Sequence, residues 1–330
     1  MTTVQPGGKR VALIGAGGWG RNHVRTLAAM DELAIVFDPD PRAVDTVAEL
    51  APGTKLSSRF DADEARAAGA VAVVVATPAV THPEITMAAI GAGFDVLVEK
   101  PMALTGAEAR AMRDAADAAG RMLMVGHLLL FQPAYTAVRA AIAGGEIGGI
   151  RSIHQTRRNF GRARQVENAL WSLGVHDIAL VLSIADSPVV DVEGVGQDVR
   201  GTGVADESVV HLRFANGSQA HVTSSWLWPD KSRGLMVVGE RGFVEFDEVT
   251  NTGTVWHRWI DGTGALRDEG HRPIVCPDGE PLQIELEHFL DAVASRRVPV
   301  TDAASGVAVT EVLERAEQAI ASANRIERPR

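Results

Sequence analysis

Residues 10–20 read RVALIGAGGWG. A short β-rich run, RVALI, leads directly into a turn built mostly of glycine, and a helical pattern follows from Trp19 to about Met30. Gly15, Gly17 and Gly20 fit G-x-G-x-x-G, whose glycines serve a tight turn, close backbone approach to a pyrophosphate, and close packing of helix on strand. The helix N-terminus beyond would offer N–H groups and a positive dipole end to phosphates. A second apolar run, LAIVF, ends at Asp38, 23 residues after Gly15, where a carboxylate can accept hydrogen bonds from a ribose diol. A plain glycine-rich turn would leave Asp38 without a reason. Gly15, Gly17, Gly18, Trp19, Gly20 and Asp38 are therefore candidate dinucleotide contacts. A carboxylate at Asp38 repels a 2′-phosphate and favours NAD over NADP, although Arg42, four residues on, can still take a phosphate.

Working outward, further apolar runs at 71–75 (VAVVV), 94–98 (FDVLV) and 121–125 (RMLMV) are separated by alanine-rich helical stretches near 83–92 and 105–119. Near-continuous apolar strands alternating with helices predict an α/β Rossmann domain, a doubly wound parallel sheet covered on both faces. The character changes near residue 127. We expect a strand over 150–160 and a helix over 174–186, followed by hairpins in which SVVHLRF and SQAHVTSSW flank Ala-Asn-Gly, and LMVV and FVEF flank Gly-Glu-Arg-Gly. The region 261–281 reads as a loop, and helices over 281–296 and 305–323 close the chain. The expected division is 1–126, a NAD-binding Rossmann domain, and 127–330, an α+β substrate and oligomerisation domain with a large open, mainly antiparallel sheet. Trp226, Trp228, Val237 and Phe243 are candidates to cover its open face.

Composition excludes several classes of function. At 330 residues the chain exceeds one ordinary core. A net charge of −10 argues against general binding of nucleic acid or anionic membranes, leaving a small anionic ligand held by a local basic cluster. The single cysteine, Cys276, excludes a disulfide framework and a cysteine-based metal cluster, and no metal site is expected. No apolar run reaches 18 residues, and the start, MTTVQPGGKR, lacks the apolar core of a signal peptide. A frayed N-terminal tail on a cytoplasmic protein is the expectation.

Two short stretches carry the chemistry. VLVEKPM at 96–102 puts a charged pair and a proline at the tip of a core strand. Ligands of doubly wound sheets bind outside the carboxyl ends of the strands, so Glu99 and Lys100 should face the cofactor crevice. Proline restrains Lys100 to extended conformations. In SLGVHDIALVL, apolar residues at Val175, Ile178, Ala179 and Leu182 place His176 in the first turn of an amphipathic helix, where the dipole disfavours imidazolium and leaves a neutral proton acceptor. Gly174 there is poor helix chemistry unless something approaches the backbone closely. By pattern alone the other histidines, among them His23, His82, His154, His211 and His221, fall at surface or sheet positions. His127, after the strand at 121–125, is a candidate pocket residue. Arg151, Arg157, Arg158, Arg162 and Arg164 form a basic cluster suited either to a pyrophosphate or to a solvated sheet face.

With GAGGWG, VVVATPAVTHPE, VEKPM and SLGVHDIALVL in place, nearly the whole chain resembles the Gfo/Idh/MocA oxidoreductases. The resemblance implies that Lys100 and His176 face substrate and nicotinamide as the catalytic pair. It also implies that Thr77 and Pro78 contact the dinucleotide, with His82 and Glu99 as further cofactor candidates. Many members carry aspartate four residues before the histidine, where this chain has Ser172, so a lysine–aspartate–histidine triplet is not expected. ENALWSL at 167–173 is instead similar to the branch that oxidises nucleotide-linked sugars, such as UDP-N-acetylglucosamine, at C3. Arg157, Arg162, Arg164, Asn168, Trp171 and His127 are then the candidate substrate contacts. The expected activity is NAD-dependent oxidation of a secondary hydroxyl, at C3 of a UDP-linked N-acetylamino sugar. The rivals are an NADP-linked keto-sugar reductase, an inositol or diol dehydrogenase, and a non-catalytic NAD-binding regulator. Homodimers or homotetramers through the open sheet are expected.

Overall fold

A computed structural model describes residues 10–161, 163–164 and 167–323. The expected N-terminal tail, residues 1–9, and Arg162 lie outside the described residues.

The first unit opens with the alternation that the apolar runs predict. Its elements are β1 (Val11–Ile14), α1 (Gly20–Ala29), β2 (Leu33–Phe37), α2 (Ala43–Leu50), β3 (Lys55–Ser57), α3 (Ala62–Ala67), β4 (Ala72–Val75), α4 (His82–Gly91), β5 (Asp95–Glu99), α5 (Gly106–Ala119) and β6 (Leu123–Gly126). All pairings are parallel, in the order β3-β2-β1-β4-β5-β6. The order reverses between β1 and β4, which places the switch point of the sheet at the glycine turn. Every residue of β1, β2, β4 and β5 is buried, as strands covered on both faces require. The ends of α5 follow local rules: the Thr105 hydroxyl caps the N–H of Glu108 at 3.2 Å, and Gly120 closes the helix in the left-handed region.

The second unit contains α6 (Pro133–Ala143), β7 (Ile150–Phe160), α7 (Val175–Ala185), β8 (Val189–Gln197), β9 (Glu207–Phe214), β10 (Gln219–Ser225), β11 (Leu227–Gly239), β12 (Phe243–Asp247), β13 (Thr252–Ile260) and β14 (Leu266–Ile274). They form one eight-stranded sheet, β14-β13-β12-β11-β7-β10-β9-β8, antiparallel except where β7 and β10 run parallel. Alternation along β7 sends Ile153, Gln155 and Arg157 to the covered face and His154 and Arg158 to the other. Tyr135 of α6 meets Phe246 of β12 edge to face at 4.8 Å in that core.

Three expectations need correction. The loop assigned to 261–281 contains β14, whose sequence LRDEGHRPI is mostly polar and charged because it is an exposed edge strand with no apolar period to read. Trp226 and Val237 do not cover the open face: they are 2% and 0% exposed, on the core side. On the uncovered side, Phe243 instead stacks on Trp256 at 5.8 Å, and Trp228 lies 4.1 Å beneath the Arg158 guanidinium. Finally, the second domain is not one continuous segment. The closing helices are α8 (Pro281–Ser295) and α9 (Ala303–Ala323). Glu280–Thr310 belongs to the first unit, and the second resumes at Glu311. The return is fastened by Val125 N–H donating to Thr301 O at 2.8 Å and by Arg296 on Asp95 at 2.7 Å.

Candidate active site

The glycine turn fits the task its spacing suggested. Gly15 has φ of +97°, and a Cβ there would stand 2.7 Å from Ala76 O. At Gly20 a Cβ would fall 2.1 Å from Gly15 O, so the helix can approach the turn only without one. Gly17 and Gly18 have nothing within 4 Å of that position, leaving backbone exposed to open space as a bound pyrophosphate needs. They line a cavity of about 320 Å³ together with Ala16, Asp38, Asp40 and Arg42. Asp38 accepts from the N–H of Ala16 at 2.7 Å and of Asp40 at 2.8 Å, which fixes its carboxylate at the end of β2. Arg42 is not a free phosphate ligand, because its guanidinium is engaged by Asp40.

Glu99 is engaged by groups of the protein itself. Its Oε1 accepts from Trp19 Nε1–H at 2.5 Å and lies 2.7 Å from His23 Nε2, while Oε2 accepts from Lys100 N–H at 3.1 Å. Burial pushes this carboxyl up, but His23, the Lys100 charge and Trp19 together hold it below the usual range. Glu99 thus anchors the indole and the peptide of Lys100. The Lys100–Pro101 bond is cis, and Lys100 itself is half-buried. His82 is not a surface residue. It is buried, with Nδ1 2.8 Å from Pro101 O and Nε2 2.9 Å from Thr77 O. Burial lowers its pKa while the two carbonyls oppose that shift, and the ring, which donates to only one of them when neutral, lies between the loop after β4 and the loop after β5. Thr77 packs its methyl at the glycine turn, 3.0 Å from the Cβ position of Gly15, and Pro78 follows it.

His23 was also misread as a surface position: it is fully buried in α1, on Glu99. His127 is 2% exposed, and burial pushes its imidazole down to about 4, with the charges of Glu99 and Lys100 also acting on it. Neither of its ring nitrogens has a hydrogen-bond partner among the described residues. The sequence reading missed Glu285. This carboxyl is fully buried in α8, and burial and the charge of Glu99 raise its pKa well above the usual range. The signal was a lone acid between Leu282, Leu286 and Phe289 on the apolar face of the helix.

Glu285 makes stability depend on pH with a definite sign. The unfolded side chain ionises near pH 4.3. The folded one ionises only at higher pH, so its cost to folding is absent in acid and grows as pH rises above that value. Glu285→Gln is therefore expected to be nearly neutral at pH 4 and stabilising by on the order of 1 kcal/mol or more at pH 8. Melting curves across that range check this; a constant difference between variant and parent would refute it.

In the second unit, a π-helical turn, Leu170–Gly174, runs straight into α7. His176 is therefore half-buried one turn inside a longer helix, and the helix-end dipole assumed for it does not apply. The close approach at Gly174 is real: a Cβ there would stand 2.9 Å from Ser224 Oγ of β10. Asn168 is a helix cap and not a free substrate contact, since its Oδ1 accepts from Trp171 N–H at 3.0 Å and its Nδ2 donates to Glu317 at 2.9 Å. Trp171 is 6% exposed.

The arginine cluster divides. Arg157 is 3% exposed and cannot serve a substrate phosphate. Its Nε donates to Asp177 Oδ1 at 2.9 Å and its Nη2 to Glu248 Oε2 at 2.9 Å. Gln155 adds a donor to Asp177 at 2.9 Å, and Tyr135 and Arg233 add donors to Glu248 at 3.1 and 2.6 Å. Although burial opposes it, the two carboxylates hold the guanidinium firmly charged, and Arg157 and Arg233 hold Glu248 below its ordinary range. Arg151 pairs with Glu240 at 2.6 Å. Arg164 remains exposed.

Comparison with known proteins agrees with this architecture. Residues 9–127 match the oxidoreductase family with NAD-binding Rossmann fold, and residues 135–245 match the GFO/IDH/MocA C-terminal domain. The chain belongs to the Gfo/Idh/MocA oxidoreductase family. Members similar to it include the UDP-N-acetylglucosamine 3-dehydrogenase of Acidithiobacillus ferrooxidans, 30% identical over 90% of this chain and 92% of that protein. A crystal structure of that enzyme covers 95% of this chain and 98% of its own, with a TM-score of 0.84 and 28% identity. An inositol 2-dehydrogenase of Azotobacter vinelandii is 28% identical over 87% of this chain and 86% of that one. The structure of GenD2 from gentamicin A biosynthesis, in complex with NAD, is 28% identical, with a TM-score of 0.80 and 98% coverage of both chains. This Gfo/Idh/MocA protein is an NAD-binding oxidoreductase, and the glycine turn, the open backbone at Gly17 and Gly18, and Asp38 fit that cofactor.

Proposed function

We propose that the protein oxidises a secondary hydroxyl of a sugar to a ketone, at C3 of a UDP-linked N-acetylamino sugar. The observation that carries this reading is the similarity to a UDP-N-acetylglucosamine 3-dehydrogenase across 90% of the chain. NAD, when bound, supplies the hydride acceptor. His176 takes the hydroxyl proton as an imidazole base. Lys100 hydrogen-bonds the same oxygen and stabilises charge developing on it. The similarity to inositol 2-dehydrogenases supports a second reading, oxidation of a free cyclic polyol. The test is a panel of UDP-, TDP- and GDP-sugars and myo-inositol with NAD⁺, followed by the absorbance of the reduced cofactor. Turnover of UDP-N-acetylamino sugars alone is expected. Turnover of myo-inositol in their place would establish the second reading.

Within the first reading, Arg164 is the phosphate contact left after Arg151, Arg157 and the Arg158 stacked on Trp228 are accounted for, with Arg162 a candidate outside the described residues. Arg164→Glu is expected to weaken nucleotide-sugar binding by roughly 2–5 kcal/mol, far more than it weakens NAD binding. Calorimetry with each ligand checks this. Unchanged sugar-nucleotide affinity would assign Arg164 to solvent.

A further inference from the structure

The rim of the cofactor cavity holds an acidic pair and a basic residue in an arrangement more specific than a ribose-binding carboxylate alone. Asp38 closes β2, and the N–H of Asp40 donates to its Oδ1 at 2.8 Å. That turn directs Asp40 at Arg42, just before α2. Asp40 Oδ1 accepts from the N–H of Arg42 at 2.9 Å and from its Nε at 3.0 Å, and Oδ2 accepts from Nη2 at 2.5 Å. Asp38, Asp40 and Arg42 all line the same cavity as Gly17 and Gly18. An arginine fork satisfied along one edge by a carboxylate has fewer donors to give a phosphate, and the carboxylate adds its own repulsion.

We propose that Asp40 is a specificity-determining residue, which excludes NADP by engaging Arg42, the basic group of this rim that lies four residues beyond Asp38 and could receive the adenosine 2′-phosphate. Asp38 by itself repels the phosphate. Asp40 also removes the side chain that would compensate. The site is thus a latent NADP site, with its phosphate ligand already in place and occupied from within the chain. Arg42 holds the Asp40 carboxyl down at about 2, so the engagement persists throughout the neutral range. Because the pair is exposed, with 88% of the Arg42 side chain and 39% of the Asp40 side chain in solvent, it can be exchanged for a ligand phosphate without opening a core.

The test reads cofactor binding alone and is independent of the substrate. Kd values for NADH and NADPH are measured by fluorescence titration on the full chain carrying Asp40→Asn, Arg42→Ala, or both. Asparagine keeps the turn onto the Arg42 N–H and removes the charge. The expected result is a shift of the NADPH/NADH affinity ratio towards NADPH of about tenfold or more in Asp40→Asn. In the Arg42→Ala background the same substitution should yield only a small fraction of that shift. Raising the salt concentration should erode the gain, as expected for an exposed phosphate contact. No change in the ratio in Asp40→Asn would overturn the proposal. An equal change with and without Arg42 would also overturn it, since Asp40 would then act only as a repelling charge. Circular dichroism of each variant confirms that the ratios describe folded protein.

Discussion

Alanine at His176 is expected to slow single-turnover hydride transfer by about 10²–10⁴-fold, the usual contribution of a positioned acid–base group. Lys100→Ala should fall in the same range, while NAD affinity falls by far less. If both act on one oxygen, as proposed, the double substitution should cost less than the product of the single losses. The pH profile separates the roles. Loss of His176 should remove the acidic limb of the rate profile, where a protonated imidazole can no longer accept the hydroxyl proton. Loss of Lys100 should lower the plateau and leave that limb in place. Near-normal transfer in Lys100→Ala would reduce the Glu99-Lys100-Pro101 stretch to a structural corner of the sheet. Asn168→Ala provides a contrast: it should cost about 1 kcal/mol of stability as a lost cap, with little effect on the chemical step if Asn168 holds only Trp171 and Glu317.

The largest effect on stability is expected at Arg157. Substitution by methionine fills much of the same volume but leaves Asp177 and Glu248 as two buried acceptors without the cation between them. Breaking a buried ion pair from one side typically costs roughly 3–5 kcal/mol, because the remaining charge is left in a poor solvent. Arg157→Lys should recover part of this, since one ammonium cannot reach both carboxylates as the fork does. Urea unfolding followed by tryptophan fluorescence suits the measurement, because five of the six tryptophans, all but Trp19, lie beyond residue 170. Asp177 is the residue after His176, so the damage should reach the helix that carries the proposed base. A loss below about 1 kcal/mol would show that the network contributes little to holding the unit together.

The first unit was readable because its strands are buried on both faces. VALI, LAIVF and AVVV leave no other reading once a glycine turn and helical stretches separate them. Asp38 was readable from its distance to Gly15. The errors follow from what a linear pattern omits. Arg157 and Arg158 alternate across β7, but nothing in the spacing tells which side faces Asp177 and Glu248, partners 20 and 91 residues away. His23 and His82 look like solvent-facing helical residues until Glu99, Thr77 and Pro101 are brought to them by parallel strands. The engagement of Arg42 by Asp40 spans only two residues, yet it depends on a turn geometry that residue identities alone do not specify.

The return of Glu280–Thr310 to the first unit has a consequence for the order of events during synthesis. When the ribosome has released the strands up to β6, the cofactor domain still lacks α8, the segment that pairs with β6 at Thr301, and the arginine that holds Asp95. Apolar surface that these later residues cover, such as Val125 and Met102 beneath Gly306, must wait through the making of the entire eight-stranded sheet. The nascent chain therefore carries an unfinished nucleotide domain for some 150 residues. Its final closure is set by the arrival of the C-terminal helices and not by its own sequence order. Early NAD binding by the growing chain, should it occur, would stabilise that unfinished state by mass action before the last residues arrive.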